Sequence, residues 1–143
     1  MTITSLEEAL LQAQPTSDET LYCIIHLPPS AITAAAGIVA QIGEPFLAMT
    51  VDGQEVTLVT QADSWDAIAR RLPDAEVSSD WRLITFDAAL DQSLVGFMAR
   101  ISTVLAEAGV SIYALSAYRR DHLLVKAAQF DTAWAALSNL ANP

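Results

Sequence analysis

Two short stretches of this 143-residue chain carry side chains whose types and spacing could do chemistry. One is Leu90-Asp91-Gln92-Ser93-Leu94-Val95-Gly96-Phe97, where a carboxylate, a hydroxyl and a glycine precede a long apolar periodicity. The other is Ala117-Tyr118-Arg119-Arg120-Asp121-His122, which gathers two arginines, an aspartate and a histidine in a chain of net charge -10. A glycine at a helix start lets a ligand, or another backbone, approach amides that the helix itself does not satisfy. The positive dipole end there suits a carboxylate. Gly96 is placed for either role. Asp91 and Ser93 both have the chemistry of a helix cap, and whichever is not the cap is left for a ligand. Asp121 can accept from an ammonium group or bond its own turn backbone. Strand alternation sends Arg119 and Arg120 opposite ways, so at most one meets a bound carboxylate, and a solvated turn accounts for both.

Other chemistries find no support. His122 has only His26 as a fellow histidine, and the lone Cys23 lies on the opposite face of the strand that carries His26, so no metal-ligand spacing exists. Asp121 and His122 are strand neighbours whose side chains diverge, which disfavours an acid–base dyad. A G-x-S-x-G elbow, a phosphate loop and a dinucleotide fingerprint are all absent from the sequence. The expectation is a protein with no catalytic residue, no metal and no cofactor.

The bulk numbers agree with a small binding or interaction protein. With 17 acidic against 7 basic residues, the surface repels phosphate backbones, so nucleic acid is not an expected partner. Apolar residues make up 52% of the chain, enough for a core, but no apolar run approaches the ~20 residues of a membrane span. The acidic start of the chain is unlike a signal peptide, and a single cysteine fits a reducing compartment, so a cytoplasmic location is expected.

The elements that must position these residues can be read from periodicity. Ser5 to Gln14 reads as a short capped helix ended by Pro15. Leu21 to Leu27 reads as a strand, Ala31 to Ile42 as a buried helix, and the segment around Asp52-Gly53 as a hairpin. Ser64 to Leu72 is a short helix, followed by a polar connector with room for one short edge strand. Trp81 to Asp87 is a strand, and Ser93 to Ala108 is the best amphipathic helix, stopped by Gly109. Two strands then flank the Arg119-Arg120-Asp121 bend, and Phe130 to Leu140 closes as a helix with Phe130, Trp134 and Leu137 on its apolar side. A faint repeat lays Leu58–Leu72 over Leu123–Leu137, pairing Trp65-Asp66 with Phe130-Asp131. The expected fold is α+β: two ferredoxin-like βαββα units with antiparallel sheets, behind a helical arm. The expected boundaries are 1–19 for the arm, 20–78 for a degenerate first domain and 79–143 for the second.

From Leu90 to Val125 the chain resembles the ACT domain. The carrying features are a loop into a helix with a glycine near its first turn, the Ala108-Gly109-Val110-Ser111-Ile112 exit, and a hairpin to a strand that opens on Asp121 and reaches Val125. The two-unit layout is similar to small bacterial proteins made only of tandem ACT domains, and distantly to tandem-ACT amino-acid sensors. That resemblance implies a non-enzymatic regulatory protein that binds a small amino-acid-like effector between domains or across a homodimer. The effector carboxylate would meet the loop and helix start, at Asp91, Ser93, Val95, Gly96 and Phe97. Its amine would lie near Asp121 and His122, with the backbone of Tyr113, Ala114, Leu115 and Ser116. Two departures stand out: Val95 replaces a small or hydroxyl residue before the glycine, and Arg120 replaces a small residue before the aspartate. The alternative is a ligand-free interaction module that pairs through its sheet edges.

Overall fold

The computed structural model describes residues 2–140; residues 1 and 141–143, the outer ends of the expected arm and second domain, lie outside them. Ser5 accepts the Glu8 amide, and Glu7 and Glu8 occupy the first turn, so the chain enters α1 at Leu6–Gln12. A two-residue strand, β1, follows at Pro15–Thr16. The apolar run Leu21–Leu27 is β2, stopped at Pro28, and Ile32–Gln41 is α2. Ala48–Val51 and Val56–Gln61 are β3 and β4, an antiparallel pair whose turn is held by the Asp52 carboxylate accepting the Gln54 and Glu55 amides. Ala62–Ile68 is α3, continued to Arg71 by a 3-10 turn.

Glu76–Phe86 is one uninterrupted strand, β5, where a polar connector and a separate strand were expected. Asp80 takes a φ of 66°, a left-handed conformation that aspartate tolerates, and so absorbs the irregularity without ending the strand. The remaining elements are α4 at Phe97–Glu107, β6 at Ile112–Ser116, β7 at Asp121–Lys126 and α5 at Phe130–Leu137. Three expectations need correction. α4 begins at Phe97 rather than Ser93, because Gly96 sits at φ 93°, outside helical space. α5 ends at Leu137, short of Leu140. On α5 the buried positions are Ala133 and Leu137, while Trp134 remains 36% exposed.

The chain divides into two units, one of Thr20–Trp81 and one of the residues up to Glu19 together with those from Arg82 onward. In the first, the strands run β3-β4-β2-β5, with β2 and β4 antiparallel. Alternate β2 residues, Cys23, Ile25 and Leu27, join Ala35 and Ile38 of α2 and Trp65 of α3 in its core. In the second, the order is β5-β7-β6, with β6 and β7 antiparallel and β1 paired antiparallel to β5 at Pro15↔Phe86 and Thr16↔Thr85. The N-terminal segment therefore supplies the fourth strand that the second βαββα unit lacks.

Ile84, Phe86, Leu123 and Val125 from the strands meet Phe97, Ile101 and Leu105 of α4 and Ala133 and Leu137 of α5. Ala9 and Ala13 join the same cluster. Full burial of a side chain such as Ile101 stabilises by about 1.5–3 kcal/mol. The fold is thus α+β, with antiparallel βαββα-like units and a short N-terminal helix, and the sequence repeat corresponds to a strand followed by a helix in each unit: β4 and α3, then β7 and α5.

Candidate functional site

The amino end of α4 has no side-chain cap. Gly96 holds the cap position at φ 93° and ψ 0°, and the first helical bond runs from the Arg100 amide to its carbonyl. Among the described residues no acceptor meets the amides of Phe97, Met98 and Ala99. A Cβ on Gly96 would touch only the Leu6 side chain, at an ordinary 3.5 Å. Backbone conformation, rather than crowding, demands the glycine there.

Neither Asp91 nor Ser93 caps this helix. Asp91 instead organises its own loop: Oδ1 accepts the Ser93 hydroxyl at 2.6 Å and the Ser93 amide at 2.9 Å, and Oδ2 accepts Thr2 Oγ1 at 3.1 Å. The Ser93 hydroxyl and amide, then Thr2, hold the Asp91 carboxyl below its usual range, and the nearby Arg119 charge adds to this. The backbone ties the loop down further. Ile3 bonds to Ala89 and Asp91, and the Leu90 amide donates to the Arg119 carbonyl at 2.7 Å.

That last bond brings the β6–β7 bend against the loop before α4. Between them lies a cleft of about 430 Å³. Its walls are Leu90 to Gln92 and Leu94 on one side, the first turn of α4 from Gly96 to Ala99 at the base, and Ser116 to Arg119 with Asp121 opposite. Asp121 opens β7 opposite Ser116, whose hydroxyl donates to Asp121 Oδ1 at 2.8 Å. The other carboxylate oxygen has no hydrogen bond among the described residues. Arg119 lines the cleft, its guanidinium 5.8 Å from the Tyr118 ring centroid. Arg120 turns the other way and pairs with Asp87 at 3.0 Å.

Of the residues expected at a site, Asp91, Gly96, Phe97, Ser116 and Asp121 line this cleft. Ser93, Tyr113, Ala114, Leu115 and His122 are not among its lining residues, and neither is Val95, which is 82% exposed. His122 lies within 2.8 Å of the Thr85 hydroxyl through Nδ1. Burial lowers its pKa below the ordinary histidine value, with Asp121 opposing and Arg120 adding to the shift. The sequence reading missed Leu90, Gln92, Leu94, Met98, Ala99, Ala117 and Tyr118, and left Arg119 undecided. Met98 was legible as an apolar helix position, but nothing local tells a position facing the core from one at the mouth of a cleft. Among the described residues no group of three or more His, Cys, Asp or Glu side chains could hold a metal, and no helix is long and apolar enough to cross a membrane.

A ferredoxin-like α+β unit with a cleft between a helix start and a hairpin bend defines a class of small domains rather than one protein. The narrower identification comes from residues 76–139, which match the ACT domain. Solved structures resemble nearly the whole chain. A protein from Agobacterium tumefaciens is 25% identical with a TM-score of 0.71, over 90% of this chain and 88% of its own. A Vibrio cholerae protein, described as of unknown function and a possible transport protein, is 27% identical with a TM-score of 0.70, over 94% and 95%. The regulatory subunit of aspartate kinase from Thermus flavus shares the fold at 16% identity, with a TM-score of 0.68 over 89% and 96%. No curated protein matches the chain in sequence.

Proposed function

We propose that this is a non-enzymatic regulatory protein that binds a small amino-acid-like effector in the cleft at the start of α4. The observation that carries the reading is the set of unsatisfied first-turn amides of α4 in a cleft that also holds Arg119 and Asp121. An α-carboxylate would take the amides of Phe97 to Ala99 and the Arg119 charge. An ammonium group would take the free oxygen of Asp121, and an apolar side chain would lie along Leu90, Leu94 and Met98. Arg119 on the walls, together with the carboxylates of Asp91 and Asp121, suits a zwitterion better than a plain anion. Regulation follows if the effector binds one arrangement of the protein better than another and a partner reads the difference. The ACT domain and the fold shared with a regulatory subunit support this reading.

Thermal unfolding in the presence of each proteinogenic amino acid tests it. Binding to the native state alone at a hundred times Kd stabilises by ~2.7 kcal/mol, several degrees in Tm at this size. One amino acid should raise Tm in the native protein and not in Asp121→Ala. No shift with any of them would remove the effector from the proposal.

The second reading, an interaction module acting through a homodimer, is favoured by β6, which has β7 on one side and ends the strand order of its unit. Sedimentation of the pure protein separates the two readings. A dimer lost on placing proline at Ala114, without an effector response, would favour the module.

A further inference from the structure

A second cleft, of about 460 Å³, lies in the unit that contains α4 and α5, where the chain around Ser17 meets the first turns of α5. Arg82 lines it. It occupies the same face of β5 as Ile84 and Phe86, both fully buried in the core, so it is a charged residue at a core-side position. Its guanidinium carbon lies 3.9 Å from the Phe130 ring centroid. Phe130 in turn stacks on Trp134, one helical turn later, with centroids 5.5 Å apart and planes at 24°. The result is a ladder of cation, ring and ring whose last member is partly open to solvent.

Among the described residues the cation in this ladder has a single, long hydrogen bond. Arg82 Nη2 reaches Ser17 Oγ only at 3.4 Å, while that hydroxyl spends its own proton on the Leu83 carbonyl at 2.6 Å. Arg82 Nε is buried with no hydrogen-bond partner, and no carboxylate lies within ion-pair distance among the described residues. Glu19 lines the same cleft but is exposed and forms no pair with it. An arginine that merely covers apolar surface keeps its head in water, whereas a buried donor without an acceptor is costly. Among the described residues Arg82 forms no ion pair, although Arg120 has Asp87.

We propose that this cleft is a binding site, separate from the one at α4, for a small aromatic carboxylate. The carboxylate pairs with the planar fork of Arg82, and the flat ring lies in the cleft along the Phe130 and Trp134 side. A single cation in an acidic protein matches a single negative charge, which selects a carboxylate over a phosphate dianion placed beside Glu19. The volume falls within the ~300–1,000 Å³ of small-molecule sites.

The test is a titration of the full chain followed through the indole N–H signals of its three tryptophans. Trp134 is assigned by Trp134→Phe, and the probes are benzoate, benzyl alcohol and inorganic phosphate. Benzoate should move the Trp134 signal saturably, with benzyl alcohol and phosphate about tenfold weaker or more. Arg82→Met should abolish the benzoate response, and Arg82→Lys should weaken it by loss of the fork. Arg82→Lys keeps the charge and the stem, so it decides the matter if Arg82→Met does not fold. An unsaturable benzoate response, equal binding of benzyl alcohol or phosphate, or a response unchanged in a folded Arg82 variant overturns the proposal.

Discussion

Asp121 and His122 are sequence neighbours with different surroundings, and the difference is open to measurement. Asp121 faces the α4 cleft with one oxygen held by Ser116, so Asp121→Asn should keep the Ser116 bond while losing the ammonium partner. Effector affinity in that variant, measured by calorimetry, should fall as far as in Asp121→Ala. His122 is half-buried against Thr85, and its lowered pKa gives stability a predictable pH dependence. The native state resists protonation while the unfolded chain titrates near 6.5, so protons bind preferentially to the unfolded state as pH falls through that value. Stability should therefore drop below about pH 6.5 by an amount absent from His122→Gln, read as urea midpoints between pH 7 and 5.5. Asp91 works in a separate window. Its native pKa lies below 3.8, so its contribution is present above that value and is lost as pH falls further. Composition and type made Asp91, Gly96 and Asp121 visible in the sequence as groups able to hold a ligand. His122 looked equivalent to Asp121 because nothing within the strand says which face the fold will cover.

At the scale of elements, the two glycines that bound α4 do different work from what propensity alone implies. Gly109 follows the helix at φ 75°, with its amide bonded to the Ala106 carbonyl and the Val110 amide to Leu105, which closes the helix with two backbone bonds. Gly96 opens the helix in the same left-handed region. Gly96→Ala and Gly109→Ala should each destabilise by about 1–2 kcal/mol in denaturant titrations, although alanine is the better helix former. Ile101→Ala, which empties a fully buried position, should cost about 2–5 kcal/mol. The existence of α4 was plain from the spacing of Phe97, Ile101 and Leu105. Its start was not, because Leu94 continues the apolar period into a loop, and only the conformation of Gly96 ends the helix there.

For the molecule as a whole, the N-terminal segment is part of the unit that holds both clefts. It contributes β1 beside β5, Ala9 and Ala13 to the core, and Ile3 to the bridge with Leu90 under the α4 cleft. Removal of residues 1–16 should therefore lower Tm and abolish the effector response together, by exposing the β5 edge and freeing the loop at Asp91. Hydrogen exchange should place effector-induced protection in residues 90–99 and 116–121, with no matching change in the Thr20–Trp81 unit.

Residue spacing by itself determined that this chain alternates strands and helices in two similar βαββα runs, that α4 is amphipathic, and that a loop and a bend carry groups suited to a zwitterion. These are local properties, since the periods of strand and helix are written within a few residues. Only the tertiary structure decided that the N-terminal segment completes the sheet, that Arg119 rather than Arg120 faces the cleft, and that Arg82 rests on Phe130 with no ion pair among the described residues. Each depends on contacts between residues far apart in sequence: Thr16 with Thr85, Leu90 with Arg119, and Arg82 with Phe130. Such partners are chosen by the burial of shared apolar faces, and no short window of sequence contains both sides of that choice.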